Sequence, residues 1–263
     1  APIDALYAAA DLNELAIDLA SREPGSDLRS ARIERAARRV AASFEEEASP
    51  RLLALEAEAR RRDLPFLWDD ELVSIGSGAG CATFAKERLP ASDDVPWERL
   101  RRIPVALVTG TNGKTTTTRL VARMAKLAGR TPGHTSSDGV CIDEALVERG
   151  DWTGAEAARM VLRRPEVELA VLETARGGIL RRGLAIDRVD AAIVTNVSAD
   201  HLGEYGVSDL LTMARAKAVV GHAVRAGGRV VLGGDDPLLV ELAPSFEAEV
   251  VLFATGPGPA LAA

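Results

Sequence analysis

Cysteines, basic blocks and long apolar runs are all scarce in this sequence of 263 residues. The two cysteines, Cys81 and Cys141, do not form a CxxC pair, so neither a disulfide framework nor a zinc site is indicated. No apolar run approaches the roughly 18 residues that span a bilayer. The first residues also lack the basic-then-apolar order of a secretion signal. We therefore expect a cytoplasmic protein without a membrane partner.

The balance of charge excludes another class of partner. The net charge is −7 and no basic run is longer than a few residues, which argues against a dedicated nucleic-acid binder. Binding of a small nucleotide is still compatible with this composition, because local N–H groups and one or two cations are sufficient. Hydrophobic residues make up 47% of the chain and charged residues 27%, as in globular proteins with a sizeable core.

Residues 1–103 are expected to form a mainly helical amino-terminal region. An apolar stripe between Leu12 and Leu19 predicts a first helix. Residues 27–47, which are rich in alanine, arginine and glutamate, predict a second helix. Pro50 suits the first turn of a third helix, because its missing N–H has no partner at that position in any case.

The end of this region changes character. Residues 72–75 predict a short strand, and the glycine-rich run at residues 76–80 follows it. That run lacks the third glycine of a dinucleotide-binding loop at the required spacing, so we interpret it as a turn. Three prolines between residues 86 and 104 indicate a linker to the next domain.

A phosphate-binding loop is predicted directly after this linker. Residues 105–108 form a short apolar run that is typical of a buried strand, and Gly110 and Gly113 allow the following backbone to turn and approach an anion. The N–H groups that open the next helix would point at that anion. In such loops a lysine, here Lys114, reaches the β- and γ-phosphates, and a hydroxyl, here Thr115, coordinates Mg²⁺.

This loop departs from the general P-loop pattern at one position. The pattern has a glycine six residues before the lysine, and this chain has Val108 there. What remains is a shorter variant, and the alternative is an ordinary glycine-containing turn between a strand and a helix. The order of strand, turn, lysine, hydroxyl and helix favours the phosphate-binding interpretation.

Apolar strands alternate with helices from residue 105 onward. Residues 131–150 are expected to be irregular apart from a hairpin near residues 140–147. The alternation predicts a P-loop-type α/β domain over residues 104–254, with a mostly parallel sheet and helices on both faces. Ligands of such sheets bind at the carboxyl ends of the strands. Residues 255–263 are interpreted as a tail or the start of a linker.

Polar residues follow two of the predicted strands. Glu173 ends the strand 169–172, and Asn196 follows the strand 191–195. A carboxylate at the end of a buried strand is a common Mg²⁺ ligand beside a P-loop, whereas the alternative for Glu173 is a solvated loop carboxylate. Asp200 and His201 come shortly afterwards. A single histidine is more often structural, and it is the position of His201 after Asn196 that makes it a candidate.

These motifs together resemble the central ATP-binding domain of the Mur ligase superfamily. The resemblance is carried by Thr109-Gly-Thr-Asn-Gly-Lys-Thr115, Glu173 and Asn196-Val-Ser-Ala-Asp-His201. The shortened P-loop is the form that this family uses. Leu172-Glu-Thr-Ala-Arg-Gly-Gly178 and Thr135-Ser-Ser-Asp-Gly139 look closest to the Mur-ligase-like part of cyanophycin synthetases. The resemblance extends over residues 104–254 and does not include the first 100 residues.

The resemblance implies an ATP-dependent acid–amine ligase with a carboxylate substrate and an amine substrate. ATP phosphorylates the carboxylate, and the amine attacks the acyl phosphate. By analogy Lys114 would stabilise the transferring phosphoryl group, while Thr115 and Glu173 would hold a first Mg²⁺ and His201 a second. Nucleotide binding would then fall to these residues: Gly110, Thr111, Asn112, Gly113, Lys114, Thr115, Thr116 and Asn196.

Two further roles are implied by the same resemblance. Many family members bridge their metals with a carbamylated lysine, and Lys217 is the candidate here. Carbamylation turns an ammonium into an anionic oxygen ligand, which suits Mg²⁺, whereas the alternative is a surface lysine on a helix. Arg176, on a glycine-rich turn three residues after Glu173, is suggested to bind a substrate carboxylate or phosphate.

Two departures from the family pattern leave alternatives open. The chain has Gly233-Gly-Asp-Asp236 where family members often have an asparagine near the adenine, which puts adenine contact in doubt. The family's carboxyl-terminal domain would begin near Ala254, so we expect a fragment that is inactive by itself. The alternatives are another P-loop ATPase or kinase, and a non-catalytic nucleotide-binding module.

Overall fold

The computed structural model describes residues 3–21, 28–199 and 202–256. The chain divides into two compact units, and each has its own internal packing. The first unit comprises residues 1–62 and 87–96, and the second comprises residues 63–86 and 97–263.

The first unit is built from three helices, α1 (Leu6–Ala20), α2 (Leu28–Glu47) and α3 (Pro50–Arg61). The three helices predicted from the sequence are thereby confirmed. The carboxylate of Glu47 accepts hydrogen bonds from the backbone N–H groups of Tyr7 and Ala8, at 3.0 and 2.8 Å, and so satisfies donors of the first turn of α1. Among the described residues no helix has the length and apolar character needed to cross a bilayer.

The second unit contains two sheets and five helices in its described residues. A small antiparallel sheet has the order β1-β2-β3, and a large sheet has the order β11-β10-β9-β4-β8-β5-β6-β7. The strands are β1 (Phe66–Trp68), β2 (Leu72–Ile75), β3 (Ala82–Ala85), β4 (Val105–Thr109), β5 (Pro132–Ser136), β6 (Gly139–Ile142), β7 (Ala145–Arg149), β8 (Leu169–Glu173), β9 (Val189–Val194), β10 (Val224–Gly233) and β11 (Glu249–Phe253). The helices are α4 (Lys114–Leu127), α5 (Ala155–Leu162), α6 (Arg176–Arg182), α7 (Leu210–His222) and α8 (Pro237–Leu242).

Six neighbouring strands of the large sheet, from β11 to β5, are parallel, and β6 and β7 extend it as an antiparallel hairpin. The predicted fold class is therefore confirmed. The central strands are apolar on both sides because helices cover both faces. Leu107 and Leu172 point into the larger core on one face, while Val108 and Val171 pack with Ala122 of α4 on the other.

Two elements were wrongly predicted. Residues 132–136 form the buried parallel strand β5 rather than an irregular segment, and residues 176–182 form α6 rather than a turn alone. The sequence of β5 does not predict a strand, because it begins with Pro132 and Gly133 and the residues that follow are polar. The predicted strand at residues 72–75, the turn at residues 76–80 and the hairpin near residue 140 are confirmed.

The parallel register places the ends of four strands at the same edge of the sheet. Val108 of β4 pairs with Glu173 of β8, and Thr109 pairs with Val194 of β9. On the outer side of β8, Thr135 of β5 pairs with Leu172. The loops that follow these strands therefore meet at the carboxyl edge, where the sequence analysis expects a ligand.

Candidate active site

The loop between β4 and α4 turns at two glycines with positive φ. Gly110 has φ +143°, and a Cβ atom added there would lie 1.9 Å from the Thr195 hydroxyl oxygen. Gly113 has φ +83° and occupies the N-cap position of α4. Only glycine fits the first position, because a side chain would be strained and would also collide with the end of β9. The sequence-based explanation for these two glycines is consistent with this geometry.

The loop is held by the segment that follows β9. The Asn196 side chain pairs with the backbone of Asn112 through two hydrogen bonds: the Asn112 N–H donates to Oδ1 at 2.9 Å, and Nδ2 donates to the Asn112 carbonyl at 3.1 Å. The Thr195 hydroxyl donates to the same carbonyl at 2.6 Å. The Thr111 N–H donates to the Asn196 carbonyl at 2.9 Å. Asn196 thus positions the loop, and the Asn112 N–H is already used within the protein.

Both lysines predicted for the site donate to carbonyls of this loop. Lys114 Nζ lies 2.9 Å from the Thr111 carbonyl oxygen, and Lys217 Nζ lies 2.9 Å from that of Gly110. Lys217 is on α7 and is only 5% exposed, so it is not a surface lysine. Thr116, in the first turn of α4, is exposed. The two ammonium groups approach the loop from its own helix and from α7.

Three oxygen-bearing side chains meet below the first turn of α4. The Thr115 hydroxyl donates to Glu173 Oε2 at 2.9 Å and lies 3.2 Å from the Ser137 hydroxyl. Glu173 is 2% exposed. Burial raises the pKa of Glu173, although the Thr115 hydroxyl, the Lys114 charge and the Ser137 backbone N–H each act to lower it. A cation beside this carboxylate would favour its ionised form.

Ser137 is a site residue that the sequence analysis missed as an individual. It directly follows β5, the strand that was not predicted, and so its place at the carboxyl edge could not be inferred. The available signal was the hydroxyl-rich run at residues 135–137, which the sequence analysis used only as a family motif.

Thr115, Glu173, Lys114 and Lys217 all line one cavity of about 610 Å³. Trp152 and the arginines of α6 line the same cavity. The other predicted metal ligand, His201, lies outside the described residues, as does Asp200. Within the described part of the chain, no group of three or more histidine, cysteine, aspartate or glutamate side chains is arranged to hold a metal. Among the residues that the structure describes, a metal site here would depend on hydroxyl ligands in addition to Glu173.

The glycine that departs from the family motif has a structural explanation. A Cβ atom at Gly233 would lie 2.2 Å from the Thr195 carbonyl oxygen, so β10 passes too close to the end of β9 for a side chain. The following Asp236 accepts the Val197 N–H at 2.6 Å and the Leu238 N–H at 3.0 Å, and it thereby caps α8. This corner therefore supports the segment that holds the loop.

Comparison with known proteins identifies the family of this fold. The Mur ligase middle domain family matches residues 108–260. The chain belongs to this family.

Two relatives are similar to this chain over part of their length. A cyanophycin synthetase from Crocosphaera subtropica is 51% identical over 162 residues, which are 62% of this chain and 19% of that protein. A UDP-N-acetylmuramoylalanine–D-glutamate ligase from Chlorobium luteolum is 33% identical over 138 residues, 52% of this chain and 27% of that protein. The chain thus spans less than a third of the length of either relative.

A solved structure of UDP-N-acetylmuramoyl-L-alanyl-D-glutamate–2,6-diaminopimelate ligase is also similar. It has a TM-score of 0.48 and 23% identity, and the match covers 59% of this chain and 33% of that chain.

Proposed function

We propose that the second unit binds ATP with Mg²⁺ and forms the core of a ligase that joins a carboxylate to an amine through an acyl phosphate. The observation that carries this proposal is the cluster of Thr115, Ser137 and Glu173 below the first turn of α4, beside Lys114. The names of the relatives, a synthetase and a ligase, favour amide-bond formation over simple hydrolysis.

The residues present fit a magnesium ion. Mg²⁺ prefers hard oxygen ligands and keeps several waters, and the cluster offers two hydroxyls and one buried carboxylate. Thr115 and Glu173 are the direct ligands in this proposal, and Ser137 joins them. When bound, the ion neutralises charge on the phosphate oxygens during transfer.

The protein's own contribution to the chemistry is positioning and charge. Lys114 exchanges the Thr111 carbonyl for a phosphate oxygen and stabilises the phosphoryl group as it transfers to the substrate carboxylate. The N–H groups of Gly113, Lys114, Thr115 and Thr116, at the start of α4, face the phosphates. Thr111 and Asn112 hold the loop in place and do not offer their N–H groups to the phosphates, since both N–H groups donate to Asn196.

Lys217 is proposed to act as a carbamate. Its buried side chain reaches the phosphate-binding loop and lines the cavity. As a neutral amine its nitrogen would attack CO₂ and release a proton, and the carbamate so formed would supply an anionic oxygen that, with His201, would hold a second Mg²⁺. Intact mass measured under bicarbonate checks this assignment: the mass of one CO₂ should be gained by the unmodified chain and not by Lys217→Gln.

The function is tested by phosphate release from MgATP with pooled candidate acids, with and without pooled amino acids, together with MgATP affinity by calorimetry. Amine-dependent release supports the ligase. Amine-independent release would indicate a hydrolase or kinase, and MgATP binding without release by the full-length gene product would indicate a non-catalytic module.

A matched pair of variants connects this assay to the proposed metal site. Glu173→Gln should remove the Mg²⁺ dependence of ATP binding. Glu249→Gln, which removes an exposed carboxylate on β11, should leave that dependence unchanged. If the Glu173→Gln variant binds MgATP as well as the unmodified chain does, the metal assignment is wrong.

A further inference from the structure

The two faces of the large sheet are covered by helices to different extents. On one face, α7 and α8 pack on β9 and β10 and contribute Val220 and Leu239 to the larger core. On the other face, in the part of the chain that the structure describes, α4 contributes Ala122 to a small core with Val108 and Val171. Parallel sheets normally have helices on both faces. The half of this second face that lies beyond β4 is therefore of interest.

A row of apolar side chains crosses that half of the face. The parallel register places Ile193 of β9 beside Val108 of β4. Val231 of β10 lies between Ile193 and Val251 of β11. Phe253 follows Val251 by two residues and so points to the same face. Val251 and Phe253 are 37% and 45% exposed. With strands 4.7–4.9 Å apart, β9, β10 and β11 present an apolar surface about 14 Å wide.

Helix α4 carries an apolar stripe that faces away from its own sheet. Leu120, Met124 and Leu127 follow the spacing that places side chains on one side of a helix. They are 60%, 68% and 73% exposed. The cations Arg123 and Lys126 lie on a different flank and pair with carboxylates of the β6–β7 hairpin. The helix thus has a second apolar side in addition to the one that packs on the sheet.

The stripe and the row are neighbours and complement each other. Val121 of α4 and Ile193 of β9 pack on the same small core, so the two surfaces are continuous. One surface is a helix that lacks a sheet, and the other is a sheet that lacks a helix. Packed helices are 8–10 Å from their neighbours, which fits the width of the three strands. A two-fold axis between the surfaces would place the stripe of each copy on the row of the other.

The area is sufficient for such a contact. If a large side chain presents about 150–250 Å², the exposed fractions above amount to on the order of 500 Å² of apolar surface per copy. Two copies would bury about 1,000 Å², which is the lower limit for a specific interface. The exposed ion pair of Arg229 and Glu249 begins the same strands and supplies a polar rim.

We propose that this surface binds a second copy of the chain in a symmetric dimer, in which α4 of each copy covers β9, β10 and β11 of its partner. Such an interface is self-complementary, as a two-fold axis requires. The proposal does not depend on the ligase function. Helices α5, α6 and α7, which line much of the candidate active-site cavity, belong to the opposite face of the sheet, so these parts of the cavity stay outside the interface.

The test is sedimentation of the whole chain. Between about 1 and 100 µM the unmodified chain should show a monomer–dimer equilibrium with a dissociation constant on the order of micromolar, because the interface is small. Met124→Lys and Val251→Glu should each raise that constant on the order of 100-fold, since every homodimer then buries two unpaired charges. An equimolar mixture of the two variants should dimerise again. In the mixed dimer one contact is unmodified, and in the other the introduced lysine faces the introduced glutamate.

Two exposed apolar residues outside this surface provide matched controls. Val219→Glu changes a valine of α7 that is 39% exposed, close to the value of Val251, and Leu146→Lys changes an exposed residue of the β6–β7 hairpin. Both variants should keep the dissociation constant of the unmodified chain. Circular dichroism and urea unfolding verify that each variant is folded. Leu127→Lys replaces Met124→Lys if the latter is unfolded.

Three results would overturn the proposal. The first is an unmodified chain that stays monomeric at about 100 µM, well above the concentration at which an interface of this size associates; a different partner would then have to cover the face. The second is normal dimerisation of Val251→Glu, which would mean that α4 pairs with α4 instead. The third is a mixture of the two variants that stays monomeric.

Discussion

The two edges of the large sheet are both rich in polar side chains but use them differently. At the amino edge, Asp190 accepts the Val105 N–H at 2.8 Å and pairs with Arg225 at 2.6 Å. Beside this pair, Asp63 binds Arg102 at 2.8 Å and also binds Arg188. Every one of these charges has an opposite charge within the protein. In the described structure these contacts stabilise the starts of the strands.

At the carboxyl edge the charges face a cavity instead. Lys114 and Lys217 donate to backbone carbonyls, and Glu173 accepts from a hydroxyl. The loops there also lead into the first turn of α4, whose N–H groups lack helical acceptors. The comparison teaches that charge alone does not identify a site. Ionisable groups that line a cavity at the carboxyl ends of parallel strands indicate one.

The difference between the two edges is tested most directly by changing Lys114. In the full-length gene product, Lys114→Ala should reduce ATP turnover by a factor on the order of 10² to 10³, the usual loss when one donor to a transferring group is removed. Stability should change by no more than about 1 kcal/mol, because the hydrogen bond that is lost, to the Thr111 carbonyl, is only part-buried. Amine-dependent phosphate release and urea unfolding measure the two effects. A variant with normal turnover would show that the carboxyl edge is not the catalytic edge.

Gly110→Ala tests whether the loop's backbone geometry is required. The added Cβ would meet the Thr195 hydroxyl and would also be strained at φ +143°, so we expect a loss of about 2–3 kcal/mol of stability and a clear loss of MgATP affinity. Gly129→Ala is the matched control at the other end of α4, where φ is +78° and no atom lies within 4 Å of the added Cβ. It should cost about 1 kcal/mol and leave MgATP affinity unchanged. Equal effects of the two changes would mean that the contact with Thr195 is unimportant.

The carboxyl edge could be predicted only in part from the sequence. The strand, glycines, lysine and hydroxyl around Gly110 form a local motif, and Glu173 follows an apolar strand, so both could be located without a structure. Ser137 could not, because β5 opens with a proline and a glycine and its order depends on pairing with β8. Long-range pairing overrode the local signal there.

The role of Asn196 was hidden for a different reason. Its two hydrogen bonds to Asn112 exist only because β9 and β4 are neighbours in the sheet. The sequence separation is 84 residues, and no local pattern reports such a contact. The close approaches at Gly110 and Gly233 likewise depend on where Thr195 lies. Local motifs thus predicted the chemical groups, and the sheet determined which of them support the others.

Asp190→Ala should have the opposite consequences to Lys114→Ala. The buried Val105 N–H would lose its acceptor, at a cost of about 1–3 kcal/mol, while MgATP affinity should remain that of the unmodified chain. Asp190→Asn keeps an acceptor oxygen, so its stability should fall between that of the unmodified chain and that of Asp190→Ala. Urea unfolding and calorimetric titration of MgATP measure the pair of effects. A large loss of affinity with little loss of stability would show that the two edges are not separate in function.

The smallest effect is expected at Asp63, and its size depends on pH. Burial tends to raise the pKa of Asp63, but the Arg188 hydrogen bond and the charges of Arg102, Arg188 and Arg225 lower it overall. A carboxyl whose pKa is lower in the folded state stabilises the protein above its unfolded pKa, near 4, and that contribution is lost as pH falls through the folded value. Because this carboxylate is half exposed, its contribution is screened to less than about 1 kcal/mol. Asp63→Asn should therefore lower the unfolding free energy slightly at pH 7 and flatten its decline between about pH 5 and pH 2, with no change in MgATP affinity at neutral pH. An unchanged acid limb in the urea-unfolding series would mean that the amino-edge ion pairs add nothing to stability, and that Asp190 alone fastens the start of β4.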